Sequence, residues 1–228
     1  RDTLAFDRAA ELYALLVDLA PDPEGRRAWQ VALGDALVNC GRGYEAAASY
    51  RAALAVTTGD EVIELERRAA AELIRAGYLE EASEMLRRLL PKVGVRPPGG
   101  HLQAIATLLT YRGLIALRGL RVRPRPEAEV PRDILERIDV LVSIAPPLTL
   151  ISLPRGLALN MKAVWHALNA GEPKRAAVAL ALFGSTVTMN GTRTFDGAIR
   201  AVRLAKELAA PLGDAWTTAR TELAEGIC

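Results

Sequence analysis

Apolar residues along this chain recur at intervals of three and four, the spacing that puts them on one face of an α-helix, and each run that keeps this spacing is short. Leu4 to Ala20 carries Phe6, Ala9, Tyr13, Leu16 and Val17 on one stripe, and Pro21 ends it. A second helix with Val31, Leu33 and Leu37 closes at Asn39-Cys40-Gly41, where Gly41 suits the left-handed residue that ends many helices. From about Tyr44 the pattern resumes with Ala46, Tyr50, Ala53 and Leu54. Glu61 to Ala76, with Ala69, Ala70 and Leu73 inward, and Tyr78 to Leu90, with Ala82, Leu86 and Leu89 inward, form the next predicted pair. None of these helices is long enough to bury its apolar flank alone, so each pair must stack on another.

After Leu90 the spacing degrades. Pro97-Pro98-Gly99-Gly100 is the strongest internal break, which predicts helix pairs over 1–95 and degenerate pairs continuing the same array over 96–228. His101 to Leu120 is predicted helical, Arg121 to Pro131 is barred from helix by Pro124, Pro126 and Pro131, and Asp133 to Ala145 is helical again. Leu141 to Leu159 is mostly apolar, but Pro146-Pro147, Pro154 and Arg155 interrupt it, so it is expected to be a buried helix-turn-helix and not a membrane span. Gly156 to Ala170 and Pro173 to Phe183 make a further pair with Trp165 as a core anchor. Ser185 to Asp196 is polar and is expected to be a turn, and Ala198 to Ala210 and Asp214 to Glu225 follow, split by Pro211-Leu212-Gly213.

One spacing recurs: a Gly followed five residues later by an Ala, at Gly41 and Ala46, Gly77 and Ala82, Gly171 and Ala176. With Leu33-Gly34, Ala46, Tyr50 and Ala53, the unit from about Glu24 to Thr57 resembles a tetratricopeptide repeat. It departs from that pattern where the first Trp falls on Gln30, beside Trp29, and the final Pro on Thr58. Gly34, Gly41, Ala46, Tyr50, Gly77, Ala82 and Ala176 are the repeat-packing residues this resemblance implies. The fold it implies is all-α, a right-handed α-α superhelix built as a solenoid of antiparallel helix pairs. Ala9, Tyr13, Leu16 and Pro21 fit the second helix of a repeat whose first helix is missing.

More widely, the chain resembles the C-terminal helical region of large bacterial signalling proteins that join a serine/threonine kinase domain, a signal-transduction ATPase domain and degenerate tetratricopeptide-like repeats. AFDRAAELYALLVDLAP, LGDALVNCGRGYEAA, RRAAAELIRAGYLEEA, RGLIALRGLRVRPR, RIDVLVSIA and HALNAGEP carry this likeness. It implies a regulatory array attached to catalytic machinery, and both ends are accordingly expected to be cut from a longer chain.

Composition adds little that is specific. Half of the 228 residues are hydrophobic while only 5% are aromatic, which suits alanine-lined helix contacts better than sheets. A formal charge of +2 supplies no strong field for nucleic acid or membrane. The two cysteines, Cys40 and Cys228, offer neither a disulfide framework nor metal-ligand spacing, and a reduced cytoplasmic setting is expected.

No phosphate-cradling Gly-Lys loop is present. Arg137-Ile138-Asp139 is only superficially like a kinase catalytic loop and is expected on a helix surface. His101 is expected to begin a helix and His166 to flank a packed Trp, while Glu61, Glu64, Glu80 and Glu81 are expected in ion pairs. No catalytic residue, metal or cofactor is therefore expected. The repeat frame places Val31, Asp35 and Asn39, then Arg67, Ala71 and Arg75, at groove positions, where Arg67 and Arg75 would receive an acidic peptide. Val31 with Asp35 departs from the paired Lys and Asn clamp that chaperone-binding repeats use for a C-terminal carboxylate. Arg118, Arg121, Arg123 and Arg125, with Arg112, form an acid-free run that is a candidate anion-binding loop, although loop pairing is favoured over nucleic acid. The expected function is a non-catalytic module for a protein or intramolecular partner, with a nucleic-acid-responsive regulator as the alternative and the oligomeric state open.

Overall fold

In a computed structural model of the chain, which describes residues 2–59, 61–96, 99–188 and 195–227, all regular structure is helical. The helices fall into two compact units, residues 1–97 and 98–228. Asp60, Pro97, Pro98 and residues 189–194 of the expected polar turn lie outside the described residues.

The first unit is a succession of five helices: α1 (Asp2–Leu19), α2 (Pro23–Asn39), α3 (Gly43–Leu54), α4 (Glu61–Arg75) and α5 (Leu79–Lys92). Each packs on the next in the chain. Asp22 starts α2 by accepting a hydrogen bond from the Gly25 amide at 2.7 Å, with Pro23 in the first turn where its missing N–H costs nothing. α2 ends in a paired closure: the Arg42 amide donates to Leu37 O and the Gly41 amide to Val38 O. α4 ends the same way, Tyr78 to Leu73 and Gly77 to Ile74. Gly41 and Gly77 hold φ of +74° and +85°, and Ala46 and Ala82, five residues on, are almost wholly buried. The turn thus delivers the next helix with a methyl group already against its partner.

Alanine lines these contacts. Ala46, Ala47, Ala53, Ala69 and Ala70 have no exposed surface, and Leu73 and Leu89 fill the space between. Tyr50, 2% exposed, lies directly over Gly34, where an added Cβ would overlap the ring. Phe6 departs from its expected inward place and is 40% exposed.

The second unit contains α6 (His101–Arg118), α7 (Arg132–Ile151), α8 (Leu153–Ala170), α9 (Pro173–Thr188), α10 (Phe195–Ala209) and α11 (Ala215–Ile227). α8 is its centre, packed by α6, α7 and α9, and α9 in turn receives α10 and α11. Helices two apart in the chain therefore meet as well as neighbours. The core they share includes Ile138, Val164, Leu168, Leu180 and Val202, with Trp165 only partly buried against it.

Two expectations fail here. Pro146-Pro147 do not break the chain: α7 runs through them and ends at Ile151, and the turn falls at Ser152. Two prolines remove two intrahelical donors, a loss offset where Val140, Leu141, Ile144 and Ala145 are buried to within 1%. Ser185 to Thr188 and Phe195-Asp196, expected in a turn, belong to α9 and α10. The third Gly and Ala pair behaves like the others, with Gly171 at φ +74° and Ala176 fully buried. Asp214 caps α11 as expected, accepting from the Thr217 amide at 3.0 Å.

Residues 119–131 carry no α-helix, only a 3-10 turn at Glu127–Glu129, and are pinned to the end of α8. The Arg125 amide donates to Gly171 O at 2.9 Å, and a Cβ at Gly171 would run into Arg123 O. Gly171 thus faces two constraints, left-handed backbone and a backbone neighbour, whereas Gly41 has open space around it. Gly171→Ala is expected to cost about 3 kcal/mol or more, against about 1 kcal/mol for Gly41→Ala, measured by urea unfolding. Equal losses would show that the loop yields.

His166, half-buried on α8, is pushed down to about 4 by burial and by the charges of Arg137 and Lys162, from an ordinary value of 6.5. The unfolded chain therefore takes up a proton first on acidification, so this contribution is complete above pH 6.5 and is lost as pH falls towards 4. The urea midpoint of the wild type is expected to fall more steeply than that of His166→Gln across this window. Parallel profiles would refute the assignment.

Candidate functional site

α2 and α4, with α3 behind them, leave a cleft of about 310 Å³ lined by Asp35, Val38, Asn39, Tyr50, Arg67, Arg68, Ala71, Glu72 and Arg75. Asp35 and Asn39 stand one turn apart on α2, and Arg67, Ala71 and Arg75 are successive turns of α4, so helix spacing alone brings each set to one side. Of the groove positions the repeat frame predicts, the structure brings together Asp35, Asn39, Arg67, Ala71 and Arg75. Val31 is half-buried a turn earlier on α2 and does not line the cleft.

A single carboxylate ties the walls together. Asp35 accepts from the Tyr50 hydroxyl at 2.6 Å and from Arg68 Nη1 at 3.0 Å, across three helices. Arg68 reaches back through Nε to Glu64 at 2.6 Å, and Arg67 holds the same Glu64 through two nitrogens at 2.7 and 2.6 Å. Burial pushes the Tyr50 hydroxyl well above its ordinary value, and the adjoining Asp35 adds to it. It is a fixed donor at any physiological pH. Burial also works against the Glu64 carboxylate, but hydrogen bonds and charge from Arg67 and Arg68 hold it below the ordinary carboxylate range.

Arg75 differs. Its side chain is half exposed and, among the described residues, meets only the nearly buried Glu72, so donors of its planar guanidinium remain for an outside acceptor. Asn39 donates to Asp35 O at 2.8 Å, a bond within its own helix. Arg67 and Arg68 are committed to Glu64 and Asp35, so Arg75 is the cation best placed to meet a ligand. The sequence offered no sign of the Tyr50, Asp35 and Arg68 chain, because partners 15 and 33 residues apart are joined only by the fold.

The arginine run behaves otherwise. Arg118 donates to Asn169 Oδ1 at 2.9 Å, Leu168 O at 2.7 Å, Arg121 O at 2.9 Å and Gly119 O at 3.1 Å, closing the end of α8. These bonds turn its donors towards protein oxygens. Arg125 donates to Glu129 O at 2.9 Å, while Arg121 and Arg123 are exposed. Arg137 and Asp139 lie within α7, and Asp139 is more than helix surface: it receives two bonds, at 2.9 and 2.8 Å, from Arg175, which also meets Glu127 and Glu172. Glu61 pairs with Arg27 and Glu81 with Arg51.

Among the described residues no three His, Cys, Asp or Glu side chains come together as a metal site, and no helix is long and apolar enough to cross a membrane. Compared with protein-family models, curated proteins and solved structures, the chain matches none.

Tyr50→Phe keeps the ring over Gly34 but removes the bond to Asp35. It is expected to cost about 1–2 kcal/mol by urea unfolding, as for other hydrogen bonds to a charged acceptor. A neutral result would show that Arg68 alone fixes Asp35.

Proposed function

We propose that the first unit is a tetratricopeptide-like interaction module, non-catalytic, whose cleft between α2 and α4 receives a carboxylate-bearing stretch of a protein partner or of another domain of its own parent chain. The observation that carries this reading is the half-exposed Arg75, with Asn39 opposite it, at the open side of a cleft whose other arginines are already neutralised. Its walls are held before any ligand arrives, which lowers the ordering cost of binding.

The repeat assignment has support of its own. Arg27 of α2 pairs with Glu61 of α4, 34 residues on, and Asp35 with Arg68, 33 residues on. Tyr44 at the start of α3 stacks on Tyr78 at the start of α5, ring centres 4.0 Å apart, at the same interval. Like positions of successive helix pairs meeting at a period of about 34 residues are what a stack of such repeats requires. We take the second unit to continue the array in degenerate form, making a right-handed superhelix of antiparallel pairs. The likeness to bacterial kinase and ATPase signalling proteins, and the cytoplasmic setting it implies, belong to the same proposal. A parent reading frame without kinase or ATPase motifs would remove that parentage and leave the cleft untouched.

The test is fluorescence anisotropy with a labelled peptide alternating Glu and Gly, its Gln counterpart and a DNA duplex. The Glu peptide is expected to bind, the Gln peptide to bind at least about tenfold more weakly, and Arg75→Glu to lose at least about tenfold, or 1.4 kcal/mol. Binding of both peptides alike, or indifference to Arg75→Glu, overturns the cleft. Duplex binding with a steep salt slope that falls on replacing Arg121 and Arg123 would favour the nucleic-acid-responsive alternative.

A further inference from the structure

α6 is apolar on two opposite faces, and the fold uses only one. Ala104, Leu108, Tyr111 and Ile115 turn towards the core around α8. The other face carries Leu102, Ile105, Ala106, Leu109, Gly113 and Ala116, and all of them are exposed. At 100° per residue these positions fall within a continuous third of the helix circumference, with no polar or charged side chain inside it. Leu102 is 84% exposed, Leu109 61% and Leu117, at the margin, 89%. A soluble chain rarely leaves so continuous a neutral stripe to water without a partner.

We propose that this face pairs with the same face of a second copy, the two α6 helices antiparallel about a two-fold axis at Leu109. Side-chain size selects this occupant. Reversing the helix about Leu109 sets Leu102 opposite Ala116 and Ile105 opposite Gly113, a large residue against a small one at each level, with Leu109 against itself. Gly113 has open space where its Cβ would stand, so the incoming Ile105 meets no side chain there. Such alternation lets two surfaces interlock at interior density. The same reversal sets Arg112, just outside the stripe, against Ala106, so that at the rim each copy's guanidinium stays in water while its stem covers a methyl group and the neutral centre of the face is buried. The antiparallel arrangement also opposes the helix dipoles favourably. Together the two faces remove on the order of 1,000 Å² from water, the lower limit for a specific interface, so a reversible, concentration-dependent dimer is expected.

α11 carries another exposed apolar group, Trp216, Leu223 and Ile227, but Arg220 lies over the Trp216 ring at 5.3 Å and places a charge on that face. It serves as the control.

The experiment is sedimentation equilibrium of the full chain with concentration, alongside Leu109→Glu and Trp216→Glu. Expected are a concentration-dependent dimer in the wild type and in Trp216→Glu, and at least about a hundredfold weaker association in Leu109→Glu with helicity by circular dichroism unchanged. In a Cys40→Ser, Cys228→Ser background, Leu109→Cys places one thiol on each side of the axis and is expected to form a covalent dimer on mild oxidation. A chain that stays monomeric up to roughly millimolar concentration, a dimer indifferent to Leu109→Glu, or one lost in Trp216→Glu instead, overturns the proposal. So does a Leu109→Cys chain that stays uncrosslinked.

Discussion

The arrangement depends on how closely two helix backbones can approach. On α3 and α4, which pack together, the fully buried side chains of Ala46, Ala53, Ala69 and Ala70 are methyl groups, small enough to let dispersion between backbones contribute to the contact. Methyl groups lose no rotamer freedom on burial, so the contact carries little entropic cost. What alanine cannot supply is volume, and Tyr50 over Gly34 supplies it where α3 crosses α2. The left-handed glycines set the phase of the whole: each turn hands the chain to the following helix with its small face already in place.

That economy explains the character of the cleft. With so little side-chain bulk between α2 and α4, polar residues must hold the separation of the walls. The Tyr50, Asp35, Arg68 and Glu64 chain does this, joining α3, α2 and α4 by bonds of 2.6 to 3.0 Å. Because each of these groups already has a partner, the interior of the cleft is close to electrically balanced, and recognition is left to its edge. A module built this way discriminates by which donors remain unspent, not by a broad field.

Much of the fold was legible because it is local. Gly41 with Ala46, Gly77 with Ala82 and Gly171 with Ala176 announced three hairpins in the chain itself, and all three have the expected backbone and burial. Asp214 caps α11 as its residue type suggested, and His101, following Gly99-Gly100, opens α6. Where reading failed, a distant contact outweighed a local preference. Pro146-Pro147 sit inside α7 because the residues before them are buried on α8, and no window of sequence contains that fact. α6 shows a further limit: with apolar residues on both faces, periodicity identifies a helix but not which side the core will take. Within the cleft, helix spacing was enough to gather Asp35 with Asn39 and Arg67 with Arg75, but the hydroxyl of Tyr50 and the guanidinium of Arg68 enter from elements that only the packing juxtaposes.

The three hairpin glycines are not alike in what they record. At Gly41 and Gly77 the space beside the α-carbon is empty, so the only objection to another residue there is its handedness. A mirror-image amino acid, for which a positive φ is the natural state, would remove that objection and would stiffen the unfolded chain besides. At Gly171 the carbonyl of Arg123 closes off the side an ordinary residue would use, so chirality and proximity act together. Chemical synthesis with one inverted centre could therefore separate, position by position, the cost of shape from the cost of hand.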